Sequence, residues 1–183
     1  MSSWRLDFAD NSWNKNLKND FASKLETKEN AQAEKGSLPI LNTGKADGKD
    51  ILRVRLEKAF ATPYKESIIK SPDVFANPND YYIVNYWDQA KYDKGHIPGA
   101  IRYQPNSSLS STNALFTLPT DKRIAVYGCT GQNAAYVVAY LNVLGYDTGN
   151  IAYGSNSFMH KELKNYGGDA FSKKEINMYP VVE

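Results

Sequence analysis

Ile124-Ala125-Val126-Tyr127 is an unbroken apolar run that gives way to Gly128-Cys129-Thr130-Gly131 and then to the helical pattern of Ala134 to Leu144. This order of strand, glycine-bearing loop and helix restricts the fold more than any other part of the chain. A run so short and apolar suits a central strand of a parallel sheet, buried on both faces, and the segment after it suits the crossover helix of such a strand. Tyr81-Tyr82-Ile83-Val84-Asn85-Tyr86 predicts a second buried strand, entered through the turn Asn77-Pro78-Asn79-Asp80. Tyr64 to Ile69, Ala100 to Tyr103 and Asn150 to Tyr153 are the remaining candidates. Helical turns are expected over Ser71 to Phe75, with Pro72 at the start, and over Ala90 to Asp93, with a terminal helix around Lys161 to Tyr166 that Gly167-Gly168 stops. Such alternation predicts an α/β fold, an open and mostly parallel sheet with helices on both faces. Ligand loops of these sheets gather at the carboxyl ends of the strands, which is where Cys129 falls.

Upstream, Ser12 is placed to cap a helix on which Trp13, Leu17, Phe21 and Leu25 recur every fourth residue. The resulting apolar stripe is expected to pack on its own domain. Gly36-Ser37-Leu38-Pro39 through Lys49 has the composition of a linker, and a short helix with Leu52, Leu56, Ala59 and Phe60 on one side follows. The expected division is a helical N-terminal extension and linker over residues 1–50, the α/β domain over 51–175 and a tail over 176–183.

With 183 residues and 42% hydrophobic content, the chain has enough apolar material for one full core. A net charge of +2 from 22 basic and 20 acidic residues, with no Lys/Arg block, argues against nucleic acid as a partner. One cysteine rules out an intramolecular disulfide, and neither histidine has a partner at ligand spacing, so no metal site is expected. No stretch approaches the ~20 apolar residues of a membrane span, so the chain as given is expected to be soluble. Met1 to Asp7 lack the basic start and apolar middle of a secretory signal. The default expectation is the cytoplasm, with a periplasmic or lipid-anchored location if a signal has been removed.

Two phrases in sequence give the chain a family likeness. Gly95-His96-Ile97-Pro98-Gly99-Ala100-Ile101 resembles the Gly-His-Ile-Pro-Gly-Ala segment of rhodanese-like domains, and Tyr127 to Ala135 resembles the active-site loop of the same family. The likeness runs from residue 64 to residue 170, and the loop is also similar to that of rhodanese-like proteins of anaerobic bacteria. It implies a rhodanese-like sheet and a sulfurtransferase of the thiosulfate type. Cys129 would then take a sulfane sulfur from a small donor, thiosulfate or a persulfide, hold it as its own persulfide and pass it to a thiol acceptor, without a cofactor. Gly128, Thr130, Gly131, Gln132, Asn133 and Ala134 would form the loop whose main-chain amides cradle the anion. His96, Asn85 and Trp87 would be structural groups near the site.

The loop departs from the family pattern of Cys, two residues, Gly, one residue, Arg and a small residue. Aligned on Thr130-Gly131, the nucleophile position holds Gly128, the thiol is displaced by one to Cys129, and Asn133 and Ala134 stand where Arg and Ser are usual. Asn85 and Trp87 replace an Asp and an Arg that brace the site in other members. A free thiol near pKa ~8.5 is mostly protonated at neutral pH, and helix-end amides alone supply only about 0.3 to 1 kcal/mol, up to ~2 when partly buried. The alternative expectation is therefore a catalytically weakened or inactive rhodanese module that binds an anion, a small ligand or a protein partner. A phosphatase of this scaffold needs Arg six residues after Cys, and Ala135 there excludes it.

Overall fold

The computed structural model describes residues 9–178. Strands β1 (Ile68–Ile69), β2 (Tyr81–Asn85), β3 (Ile101–Arg102), β4 (Arg123–Tyr127) and β5 (Thr148–Ile151) form one sheet in the order β1-β5-β4-β2-β3, and every pairing is parallel. β4 lies at the centre, with Val126 opposite Val84 on one side and Asn150 on the other. Helices α1 (Gly48–Ala61), α2 (Ser71–Ala76), α3 (Gln89–Tyr92), α4 (Gln132–Val143) and α5 (His160–Asn165) complete the regular structure.

The side-chain alternation of β4 divides the core in two. Ile124 and Val126 pack with Val137, Val138 and Leu141 of α4, whereas Ala125 and Tyr127 pack with Ile151, Phe158 and Leu163 on the opposite face. Both faces are covered, as a parallel sheet requires. β1 is shorter than the strand expected over Tyr64 to Ile69, because Tyr64–Ser67 turn as a 3-10 segment after Pro63 and only two residues pair with β5.

The N-terminal extension is not the expected helix. Ala9–Trp13 form one wide turn that runs into a single α turn over Asn14–Asn16, Leu17 is extended, and Ala22–Lys24 make a 3-10 turn. Main-chain bonds to the domain account for the difference. Lys18 N donates to Asn156 O and His160 N to Lys18 O, each at 3.0 Å, and Phe21 N donates to Phe158 O at 3.3 Å. Glu26 and His96 then exchange a pair of such bonds in an isolated antiparallel bridge. Local helical preference amounts to tenths of a kcal/mol per residue and yields to these partners. The fourfold spacing of Trp13, Leu17, Phe21 and Leu25 reflects separate docking sites: Trp13 stacks on Phe171, Phe21 stacks on Phe75, and Leu25 sits against Gly95.

α1 begins before the expected boundary at residue 51, capped by Asp47, whose side chain accepts from Lys49 N and Asp50 N. It also presents a different side from the one expected. Leu52, Leu56 and Phe60 are exposed, and Arg55 faces inward, donating to the Val143 and Asn142 carbonyls at the end of α4. A guanidinium on the negative end of a helix dipole fixes that orientation.

Candidate functional site around the β4–α4 loop

The alternation that governs β4 continues past its end. Gly128 follows on the α4 side, and Cys129 returns to the opposite face, where it packs at the edge of the cluster that holds Trp87, Tyr127 and Leu163. The one-residue displacement of the thiol is thus a change of face as well as of position. Gly128 leaves room behind it, since a Cβ there would meet only the Tyr86 carbonyl oxygen, at 3.8 Å.

Trp87, Gly168 and Asp169 surround the Cys129 sulfur. A Cβ built on Gly168 would stand 3.3 Å from Sγ, so the segment after α5 covers the thiol closely. Burial pushes the thiol above its ordinary value. The Asp169 main-chain N–H and the charge of Lys91 oppose that shift, the Asp169 carboxylate adds to it, and the rise prevails. Trp87 Nε1 stands near the sulfur without reaching hydrogen-bonding geometry and has no other partner.

The 154–156 segment holds the loop from behind. Tyr153 and Gly154 are both left-handed, at φ 59° and 53°, which turns the chain so that Ser155 N and Oγ donate to Gly128 O at 2.9 and 3.2 Å. Asn156 is fully buried and joins four parts of the chain. Its Nδ2 donates to Cys129 O at 2.8 Å and Asp169 O at 3.2 Å, while its Oδ1 accepts from Phe171 N at 2.9 Å and from His160 Nδ1 at 2.8 Å. Gly154 itself lies against Gly131 N. Gly131, at φ 87°, caps α4, and Gln132 N turns to Thr130 Oγ1 at 3.4 Å. Asn133 is exposed on the first turn of α4, and Ala134 is buried in the α4-side core.

His96 has a structural place. Fully buried, it stacks on Tyr92 at 3.7 Å, and its Nδ1 and Nε2 lie 2.8 and 3.0 Å from the Tyr92 and Lys28 carbonyl oxygens. Asn85 is buried near the Tyr127 hydroxyl, yet neither amide atom attains hydrogen-bonding geometry. Asp88 caps α3 and pairs with Lys91, whereas Arg102 donates to Gln104 Oε1, so the two charges nearest the altered brace do not meet. His160 bonds Asn156 and reaches the loop only through it.

Two recesses adjoin the loop. One, of ≈ 540 Å³, lies between Thr130-Gly131, the ends of β1 and β5, and Trp13; the other, of ≈ 300 Å³, lies between Thr130, Trp13 and the Gly168-to-Phe171 segment. Ser107 and Ser110 line a different hollow with Tyr86 and Tyr136 on the α4 side. A further hollow beside Arg55 and Arg123 contains no residue of the loop. Among the described residues, no His, Cys, Asp and Glu cluster could hold a metal, and no helix is long and apolar enough to cross a membrane.

Trp13, Asn150 and Asn156 were not marked as site residues by the sequence. Asn156 had a signal, since Gly154-Ser155-Asn156 resembles the family's glycine segment beside the active loop. Asn150 had a weaker one, an amide within an otherwise apolar strand pattern, and Trp13 had none that separates it from a core aromatic.

Residues 76–161 match the family model described as Rhodanese-like domain. No curated protein matches the chain. Among solved structures, a rhodanese-related protein from Thermoplasma volcanium is similar at 22% identity and TM-score 0.44, covering 55% of this chain and 92% of that one. A rhodanese-like domain protein from Staphylococcus aureus is similar at 19% identity and TM-score 0.45, covering 50% and 90%. The parallel five-stranded sheet covered by helices agrees with that match, which assigns a rhodanese-like domain to residues 76–161.

Proposed function

We propose that this rhodanese-like domain works by binding at its β4–α4 loop and does not cycle sulfur through Cys129 at neutral pH. Support comes chiefly from the surroundings of the thiol. A sulfurtransferase needs a thiolate, and here burial raises the thiol pKa in a loop with no fixed cation from Gly128 to Ala135. The two recesses beside Thr130 offer space for a small ligand where α/β sheets ordinarily take one.

A second reading, transfer of a sulfane sulfur from thiosulfate or a persulfide to a thiol acceptor, draws on Lys91, the Asp169 N–H and the unpartnered Trp87 Nε1 near the sulfur. One experiment separates the two. The alkylation rate of Cys129 against pH should be slow, with a midpoint above the ~8.5 of a free thiol, and mass spectrometry after thiosulfate should find no added sulfur. A midpoint below that value, with a persulfide on Cys129 and transfer to an acceptor, would establish the sulfurtransferase instead. The double variant Gly128→Cys, Cys129→Ser moves the thiol to the roomy family position and should alkylate faster at pH 7 than the unaltered protein.

A further inference from the structure

We infer that the ≈ 540 Å³ recess between the loop and Trp13 is a binding site for a small, uncharged, flat-ringed compound that presents one N–H or O–H group to Asn150. This rests on the binding reading above and supplies its ligand class.

Asn150 carries the argument. It stands on β5, paired on both sides by β4 and β1, and is only 5% exposed. Its Nδ2 donates to the Tyr64 hydroxyl at 3.0 Å, but its Oδ1 has no donor among the described residues. An acceptor buried without a partner costs roughly 1 to 3 kcal/mol, so an interior strand position would ordinarily hold an apolar residue. The neighbouring polar residue on the same face shows the contrast: Thr148 Oγ1 is engaged by Val138 O and Asn142 Oδ1. Asn150 lines the recess, where a ligand donor would complete it.

The rest of the wall selects against charge. Trp13, Tyr64, Tyr153, Ile68, Ala135 and Ala152 make its apolar side, Ser12, Thr130 and Gln132 add neutral polar groups, and among the described residues no Asp, Glu, Lys, Arg or His lines the recess. An anion would meet the Asn150 carbonyl lone pairs with no cation to offset them, and a cation would find no carboxylate. A purely aliphatic ligand would leave Oδ1 as it is. Flat rings match the aromatic walls, of which Trp13 is fixed edge-on to Tyr153 at 5.1 Å. A few neutral polar groups, one of them buried and unsatisfied, in a mostly apolar hollow of this size are the usual constitution of a small-molecule site.

The test uses the whole chain and three probes, indole, N-methylindole and benzoate, titrated by NMR. Indole should bind and shift the Trp13 ring N–H and the Asn150 side-chain amide. N-methylindole, without the donor, should bind about tenfold more weakly, and benzoate should not bind. Asn150→Leu should erase the difference between indole and N-methylindole, and Ala135→Phe, which fills the recess from the α4 side, should abolish indole binding in a protein whose remaining spectrum is unchanged. Equal affinity for the two indoles, preference for benzoate, no binding of any probe, or binding undiminished by Ala135→Phe would overturn the inference. Indole binding is measured independently of the thiol, so a persulfide found on Cys129 would refute the binding reading without deciding this site.

Discussion

Gly154→Ala should cost far more than an ordinary glycine replacement, and the excess measures how tightly the loop is held. A methyl group there would overlap the Gly128 carbonyl oxygen and stand 2.8 Å from both Cys129 O and Gly131 N. All three are main-chain atoms, so relief requires moving the loop itself. Gly167→Ala is the control, because Gly167 is also left-handed, at φ 71°, but has open space around the would-be Cβ. The control should lose only the left-handed penalty, about 1 to 2 kcal/mol. Gly154→Ala carries that penalty together with about 1 to 3 kcal/mol of overpacking and the weakening of the two Ser155 bonds to Gly128 O. A total of roughly 3 to 5 kcal/mol follows. For a chain of this length each kcal/mol lowers Tm by about 2 to 4 °C, so the variant should melt at least ~6 °C below the parent protein. Urea titration gives the free energies directly, and Cys129 should alkylate faster as its cover loosens. Should Gly154→Ala lose no more stability than Gly167→Ala, the close seating of the loop on the 154–156 segment is wrong.

Two further outcomes follow from the same region. Asn156→Ala removes four side-chain hydrogen bonds, to Cys129 O, Asp169 O, Phe171 N and His160, and should cost about 4 kcal/mol in urea unfolding, with hydrogen exchange at the Phe171 amide accelerated; unchanged exchange there would refute the role given to Oδ1. The raised Cys129 thiol predicts a pH dependence of opposite sign to that of a salt-bridged carboxylate, whose pKa is lowered: its contribution is fully present below the unfolded thiol pKa of ~8.5 and is lost as pH rises through the higher folded value. The parent protein should therefore lose stability with a steeper slope than Cys129→Ala on going from about pH 8 upward, before the buried Tyr103 and Tyr127, raised further still by burial, begin to contribute. Equal slopes would contradict the half-buried setting of the thiol.

The core of the fold was legible because it follows from periodicity and punctuation. Arg123 to Tyr127 is apolar and bounded by glycine, and it forms β4 over that span; the helix expected over Ala134 to Leu144 forms as Gln132–Val143. The extension misled for a physical reason. Trp13, Phe21 and Leu25 are spaced as on a helix, but each is claimed by a different part of the domain, and such long-range main-chain partners leave no trace in local spacing. α1 misled similarly, since Leu52, Leu56 and Phe60 carry the apolar pattern while Arg55 makes the bonds. The displacement of the thiol to Cys129 was visible as a count of residues, whereas its consequence, a different face, needed the strand alternation carried past Tyr127. The Gly154-Ser155-Asn156 phrase pointed to the neighbourhood of the loop, but the part Asn156 plays was hidden because its partners lie at Cys129, His160, Asp169 and Phe171, and no pairwise spacing announces such a hub.

The stacking of Trp13 on Phe171, with rings 4.9 Å apart and 8° from parallel, also bears on how the chain is made. Residues 13 to 26 are made before the groups they dock on, which include Phe75, His96, Tyr153, Asn156, Phe158, His160 and Phe171. During synthesis that stretch must wait, with Trp13 and Phe21 uncovered, until Phe158 and Phe171 have been added. Folding should then proceed sheet first and flank last, and the interval between the two is when a nascent chain would be most in need of a chaperone.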